Sequence, residues 1–168
     1  MSLSKNGRRG LVIGGVVLLC LIAWLIAGLI VGREPQPAID IVGPDAKGEL
    51  HALSDAFGKR GTVLLFFDTK TDKATELLEQ VAALDKEYDA NVMAVAVNGD
   101  YEEQKKALQE MGIDLTCLVF DVEGEMAKAY NVTTTPVTYF IDKSGMVQDV
   151  FLSSITDQTL KKAFSSLD

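Results

Sequence analysis

The chain has 168 residues, 48% of them hydrophobic, with 24 acidic against 16 basic side chains and a formal charge of −8. Four of the basic residues (Lys5, Arg8, Arg9 and Arg33) fall in residues 1–33, which hold no acid, so the remainder carries 12 basic and 24 acidic groups, a formal −12. That balance argues against nucleic acid or anionic headgroups as partners of this part, and two isolated cysteines, Cys20 and Cys117, exclude a disulfide framework and a zinc–thiolate cluster within it.

Residues 1–10 are polar and basic and read as a cytoplasmic N-terminus. Leu11 to Val31 is 21 residues without a charge, long enough to cross a bilayer. The sequence Ile30-Val31-Gly32-Arg33-Glu34 is a poor cleavage site, and the bulky Leu19 before Cys20 makes a poor lipoprotein site. Residues 11–32 therefore read as a single transmembrane anchor in contact with membrane lipid. Lys5, Arg8 and Arg9 outweigh Arg33 on the other flank, which keeps the N-terminus in the cytoplasm and places the remaining domain outside it. Residues 33–37, with Pro35 and Pro37, read as a stiff tether.

The domain then runs over 38–168. Ala38–Val42 and Glu49–Leu53 read as short strands around the breaker-rich Gly43–Gly48. The only histidine, His51, has no Cys, Asp or second His at an evident ligand spacing and reads as a partly exposed strand residue, so no metal is expected. Val63–Phe67 is an unbroken apolar run, the mark of a strand buried on both faces. A polar connection, Asp68 to Thr75, feeds a helix with Leu77, Leu78, Val81, Leu84 and Tyr88 on one face. Val92–Val97 is a second buried strand. Asp100-Tyr101-Glu102-Glu103 opens a helix that runs through Met111 and closes at Gly112. Thr116–Asp121 reads as a third buried strand and Gly124–Tyr130 as a short helix with Met126, Ala127 and Tyr130 inward. Val137–Ile141 and Met146–Leu152 form a hairpin around Asp142–Gly145. Thr156 caps a last helix that carries Leu160, Ala163, Phe164 and Leu167 on one face. A parallel βαβ unit followed by an antiparallel hairpin and a closing helix is an α/β domain with a mixed sheet. Its first long helix starts at the C-terminal end of a central strand, where open α/β sheets place their chemistry.

Two stretches carry a family resemblance. Leu53-Ser54-Asp55 followed by Gly58-Lys59 is similar to the lead-in that redoxins show before their core strand. Tyr130-Asn131-Val132, then Pro136-Val137-Thr138-Tyr139-Phe140-Ile141-Asp142 and Gly145, follow the redoxin pattern Tyr-Gly-Val-x-x-x-Pro-Thr-x-Phe-x-Ile-Asp-x-x-Gly closely. Over roughly 38–168 the chain resembles the thioredoxin-like redoxins, in particular the membrane-tethered TlpA/ResA type. The resemblance implies a thioredoxin-like fold. It also implies a Trp-Cys-x-x-Cys motif at the turn into the first helix, where this chain has Thr71 for the Trp, Asp72 for the first Cys and Thr75 for the second. The peroxiredoxin pattern Pro-x-x-x-Thr-x-x-Cys has no counterpart between Phe67 and Glu76.

In that family the proline equivalent to Pro136 is cis and faces the motif across the substrate groove. The resemblance thus assigns Thr135 and Pro136 either to pairing with an extended peptide or to shaping the strand entry. Asp72 suits the positive end of a helix. It, or Thr71, is expected to cap the helix start, with a general acid/base or a weak cation site shared with Asp68 as the alternative. Cys117 reads as a buried thiol or as a lone reactive one near the groove. The expected function is a membrane-anchored, extracytoplasmic, non-catalytic module that binds a protein or peptide partner, with no cofactor. The alternative is a thiol–disulfide oxidoreductase or antioxidant redoxin, in redox homeostasis or cytochrome c maturation, that uses Cys117.

Overall fold

The computed structural model describes residues 35–58, 60–88, 91–113, 115, 117–165 and 167. The expected cytoplasmic stretch 1–10 and the anchor over 11–32 lie outside the described residues, and no helix among the described residues is long and apolar enough to cross a membrane. In chain order the elements are β1 (Gln36–Pro37), β2 (Val42–Pro44), β3 (Leu50–Ala52), a 3-10 turn (Leu53–Ala56), β4 (Thr62–Phe67), α1 (Ala74–Tyr88), β5 (Asn91–Ala96), α2 (Tyr101–Met111), β6 (Cys117–Phe120), α3 (Glu125–Ala129), β7 (Val137–Ile141), β8 (Met146–Phe151) and α4 (Asp157–Ser165).

The main sheet has the order β1-β8-β7-β4-β5-β6, and β2 and β3 form a separate two-stranded hairpin. β4 lies inside the sheet, parallel to β5 and antiparallel to β7. All six of its residues are buried, the polar Thr62 and the apolar run Val63–Phe67, the run being what a strand covered on both faces needs. Alternation along the strand divides the core in two. Val63, Leu65 and Phe67 pack with Leu77, Leu78, Val81 and Leu84 of α1 and with Leu160, Ala163 and Phe164 of α4. Leu64 and Phe66 face the other way, onto Ile41, Leu53, Met93, Val119, Met126 and Tyr130. The apolar face read for α1 is thus the packed one, and Tyr88 is half-buried at its end.

α2 begins and ends as its sequence dictates. The Asp100 carboxylate accepts from the N–H groups of Glu102 and Glu103, and Gly112 takes the left-handed conformation (φ 66°) that closes the helix. At α4 the Thr156 hydroxyl accepts from Thr159 N at 3.3 Å.

Two expectations shift. Residues 36–37, read as part of a tether, add a short edge strand to β8, with Gln36 opposite Val147 and Pro37 opposite Met146. The first hairpin is displaced: its leading strand is Val42–Pro44 rather than Ala38–Val42. Asp45 is the reason. Its Oδ1 accepts from Lys47 N at 2.8 Å and Glu49 N at 2.9 Å, so the turn closes over 45–49. The polar groups of 38–41 go elsewhere: Ala38 N donates to Gly145 O, the Tyr130 hydroxyl donates to Ile39 O, and Ile41 O accepts from Leu53 N.

Candidate functional site

The turn from β4 into α1 is built on Asp68. Its Oδ1 accepts from Lys70 N at 2.8 Å, and its carbonyl accepts both the N–H and the hydroxyl of Thr71. Asn98, in the left-handed region at φ 63°, brings its amide to 3.5 Å from Asp68 Oδ2, and Lys70 forms a surface ion pair with Glu103 at 3.3 Å. The helix is entered through backbone bonds, Ala74 N to Thr71 O and Leu77 N to Lys73 O. Thr71 spends its hydroxyl on Asp68 rather than on a helix N–H, which departs from the expected cap, and among the described residues no hydrogen bond engages the Asp72 carboxylate. Asp72, Lys73 and Thr75 are exposed, whereas Ala74 is buried and anchors the turn to the core.

The strand register brings the second half of the site alongside. Phe66 pairs with Val137 in the antiparallel β4–β7 ladder, so the preceding Pro136 and Thr135 lie at the edge of the sheet where β4 runs into the turn. The Thr135–Pro136 peptide is cis. Both residues are half-buried, and among the described residues no hydrogen bond occupies the main chain of Thr135. A hollow continues the surface beyond the start of α1, lined by Lys73, Glu76, Leu77, Ser154, Ile155 and Asp157. Ser154 and Ile155, on the far side of this hollow, belong to an irregular loop with no periodic signal in the sequence, and Asp157 opens α4.

Cys117 is not part of this arrangement. It opens β6 and pairs with Met93, which in turn pairs with Leu64 near the middle of β4. Two strand spacings of about 4.8 Å across and four residues of about 3.3 Å along place its Cα roughly 16 Å from that of Asp68. The thiol is half-buried on the face covered by the β2–β3 hairpin. Burial, together with the carboxylates of Asp45 and Asp55, pushes it up to about 11. That is the wrong direction for a nucleophile, whose thiolate must form near neutral pH.

The same hairpin brings together three side chains that are separated along the sequence. Asp45, Glu49 and His51 each offer a ligand atom, all within 4.8 Å of one another, with His51 Nε2 at 3.4 Å from Asp45 Oδ2. Partial desolvation opposes the Asp45 charge, but the N–H groups of Glu49 and Lys47 and the His51 ring outweigh it and hold the carboxyl below its ordinary value. His51 is a half-exposed strand residue, as expected; its acidic neighbours became visible only when the turn drew 45 and 49 together.

Comparison with known proteins agrees with this architecture. The profile described as the AhpC/TSA family matches residues 35–150. The thioredoxin-like protein YneN of Bacillus subtilis is 31% identical over 135 residues, covering 77% of this chain and 78% of its own. The thiol-disulfide oxidoreductase ResA of Geobacillus kaustophilus is 28% identical over 133 residues, covering 77% and 75%. Among solved structures, a thiol:disulfide interchange protein of the thioredoxin family from Chlorobium tepidum superposes with a TM-score of 0.67 at 20% identity, over 80% of this chain and 97% of its own. With a matching family profile over most of its length, relatives of the TlpA/ResA type and a thioredoxin-like sheet, the chain belongs to the AhpC/TSA family of redoxins.

Proposed function

We propose that this is a membrane-anchored, extracytoplasmic thioredoxin-fold domain that binds a protein or peptide partner and does not exchange disulfides. The observation that carries the reading is the pair Asp72 and Thr75, at the positions where the TlpA/ResA type has its two thiols, beside a Thr135 main chain free to pair with an extended segment. Dithiol exchange needs an attacking thiolate and a resolving thiol. The domain holds one cysteine, half-buried and resistant to ionisation. Anchorage by residues 11–32 rests on the length and basic flank of that segment.

The full chain in detergent tests the reading in two arms. Insulin reduction by dithiothreitol should run no faster with the protein than without it. A photo-crosslinker in place of Thr135 should give discrete adducts with envelope proteins, whereas one in place of the exposed Lys128 should not. The second reading, an oxidoreductase working through Cys117, is favoured by the names of the relatives. Catalysed turnover of a disulfide substrate that disappears in Cys117→Ser establishes it and removes the first.

A further inference from the structure

We propose that the β2–β3 hairpin holds a divalent transition metal of the zinc class, with Asp45, Glu49 and His51 as its protein ligands.

The convergence of the three side chains is set by the backbone. Glu49 and His51 are two residues apart along an extended segment, so they project from the same face. Asp45 stands across the turn from Glu49, joined to it by the hydrogen bond from Asp45 N to Glu49 O at 2.8 Å. The turn is held from behind as well. The Asp45 carbonyl accepts from Gly48 N at 3.0 Å and from the Tyr101 hydroxyl at 3.1 Å. Gly43 lies so close to Val119 and Met126 that an added Cβ would meet the Met126 Cε at 2.7 Å.

The Asp45 carboxylate divides its work. Oδ1 is committed to Lys47 N and Glu49 N, which leaves Oδ2 turned to His51. The 3.4 Å between Oδ2 and Nε2 is long for a hydrogen bond. It matches the ligand–ligand edge of a tetrahedron whose bonds are about 2.05 Å, which is ~3.3 Å. Glu49 is exposed and free to swing its carboxylate onto the same point.

The donor set selects the ion. One imidazole with two carboxylates suits zinc, nickel or copper, while magnesium and calcium prefer six or more oxygens. Two carboxylates balance a dication, and the formal −12 of residues 34–168 favours its approach. With three protein ligands, water completes the shell. Because His51 is the only histidine of the chain, its ring reports on this site alone.

The experiment uses the untagged full-length chain and zinc chloride as the probe. Isothermal titration should saturate at one zinc per chain, with the His51 ring resonances shifting in step, and a tenfold excess of magnesium should leave the complex intact. His51→Ala should weaken binding about 10-fold or more, on the scale of lost ligand support at metal sites. Glu49→Gln, at an exposed position, should weaken it while leaving metal-free melting unchanged. Zinc should raise the melting temperature of the parent chain but not that of His51→Ala. Absence of saturable binding, or an affinity in both variants equal to that of the parent chain, overturns the site; displacement by magnesium overturns the assignment of the ion class.

Discussion

The surroundings of Cys117 disfavour its thiolate. With the group pushed up to about 11 by burial and by Asp45 and Asp55, iodoacetamide at pH 8 should modify it about two orders of magnitude more slowly than a free cysteine of pKa near 8.5. The same chain in urea should react at the ordinary rate; equal rates in both states would show that the thiol is not shielded. The shift also has a sign in stability. Between the ordinary thiol range and about pH 11 the unfolded chain releases its proton first, so the contribution is intact below that window and falls as pH rises through it. Cys117→Ser should flatten that part of the profile. Asp142 behaves oppositely. Partial burial opposes its charge, but the hydroxyl and N–H of Ser144, the N–H of Met146 and the Gln148 amide hold it below the ordinary carboxylate value. Its contribution is present above that value and is lost as pH falls through the lowered one. Asp142→Ala should cost about 1–2 kcal/mol at neutral pH, the scale of a lost charge-assisted hydrogen bond, and should shift the acid-unfolding midpoint toward neutral in denaturation monitored by circular dichroism.

At the scale of elements, the β2–β3 hairpin is the lid of one core face. Ile41 and Leu53 seal Leu64, Phe66 and Val95 beneath it, and Gly43 permits the close approach to Val119 and Met126. Gly43→Ala should therefore destabilise the domain by about 1–3 kcal/mol, the usual cost of overpacking, and should accelerate alkylation of Cys117 as the hairpin lifts. A loss of stability with unchanged Cys117 reactivity would mean that the hairpin does not cover the thiol. These local devices explain which elements could be read beforehand. β7 is marked by the pattern that follows Pro136, while Val63–Phe67 of β4 and Val92–Ala96 of β5 announce themselves as unbroken apolar runs, the mark of strands covered on both faces. α2 does so because Asp100 and Gly112 mark its ends with backbone chemistry. The hairpin register did not show, since Asp45 sets it through its side chain while the extended run before it looks equally strand-like. β1 stayed hidden behind Pro35 and Pro37, which permit an edge strand as well as a tether. The candidate site was legible from the Pro136 pattern and the polar turn after Phe67. The hairpin cluster was not, because residues 45, 49 and 51 meet only through that turn.

Taken as a whole, the molecule has a thioredoxin-like frame, with no cysteine in the turn over 68–75 that leads into α1. β4 delivers the chain to the start of α1, the β7 register sets Thr135 and Pro136 beside that turn, and α1 presents its positive end there. Nothing in the packing depends on Asp72 or Thr75, which are both exposed, while Ala74 between them carries the contact with the core. The frame should therefore accept cysteines at both positions without refolding. In Asp72→Cys combined with Thr75→Cys, the first thiol should titrate below the free value of about 8.5, because the helix N-terminus stabilises a thiolate. The pair should close to a disulfide under mild oxidation and reopen with dithiothreitol. Ultraviolet absorbance of the thiolate follows the titration, and Cys117→Ser in the same background removes the third thiol from the signal. If the double variant then accelerates insulin reduction where the parent chain does not, the missing sulfurs alone account for redox silence. If the dithiol forms with a lowered first value and still turns over no substrate, the surroundings of Thr135 and Pro136, and not the thiols alone, limit exchange. A dithiol that titrates as ordinary cysteine would instead show that the turn over 68–73 no longer brings the helix end to bear on position 72.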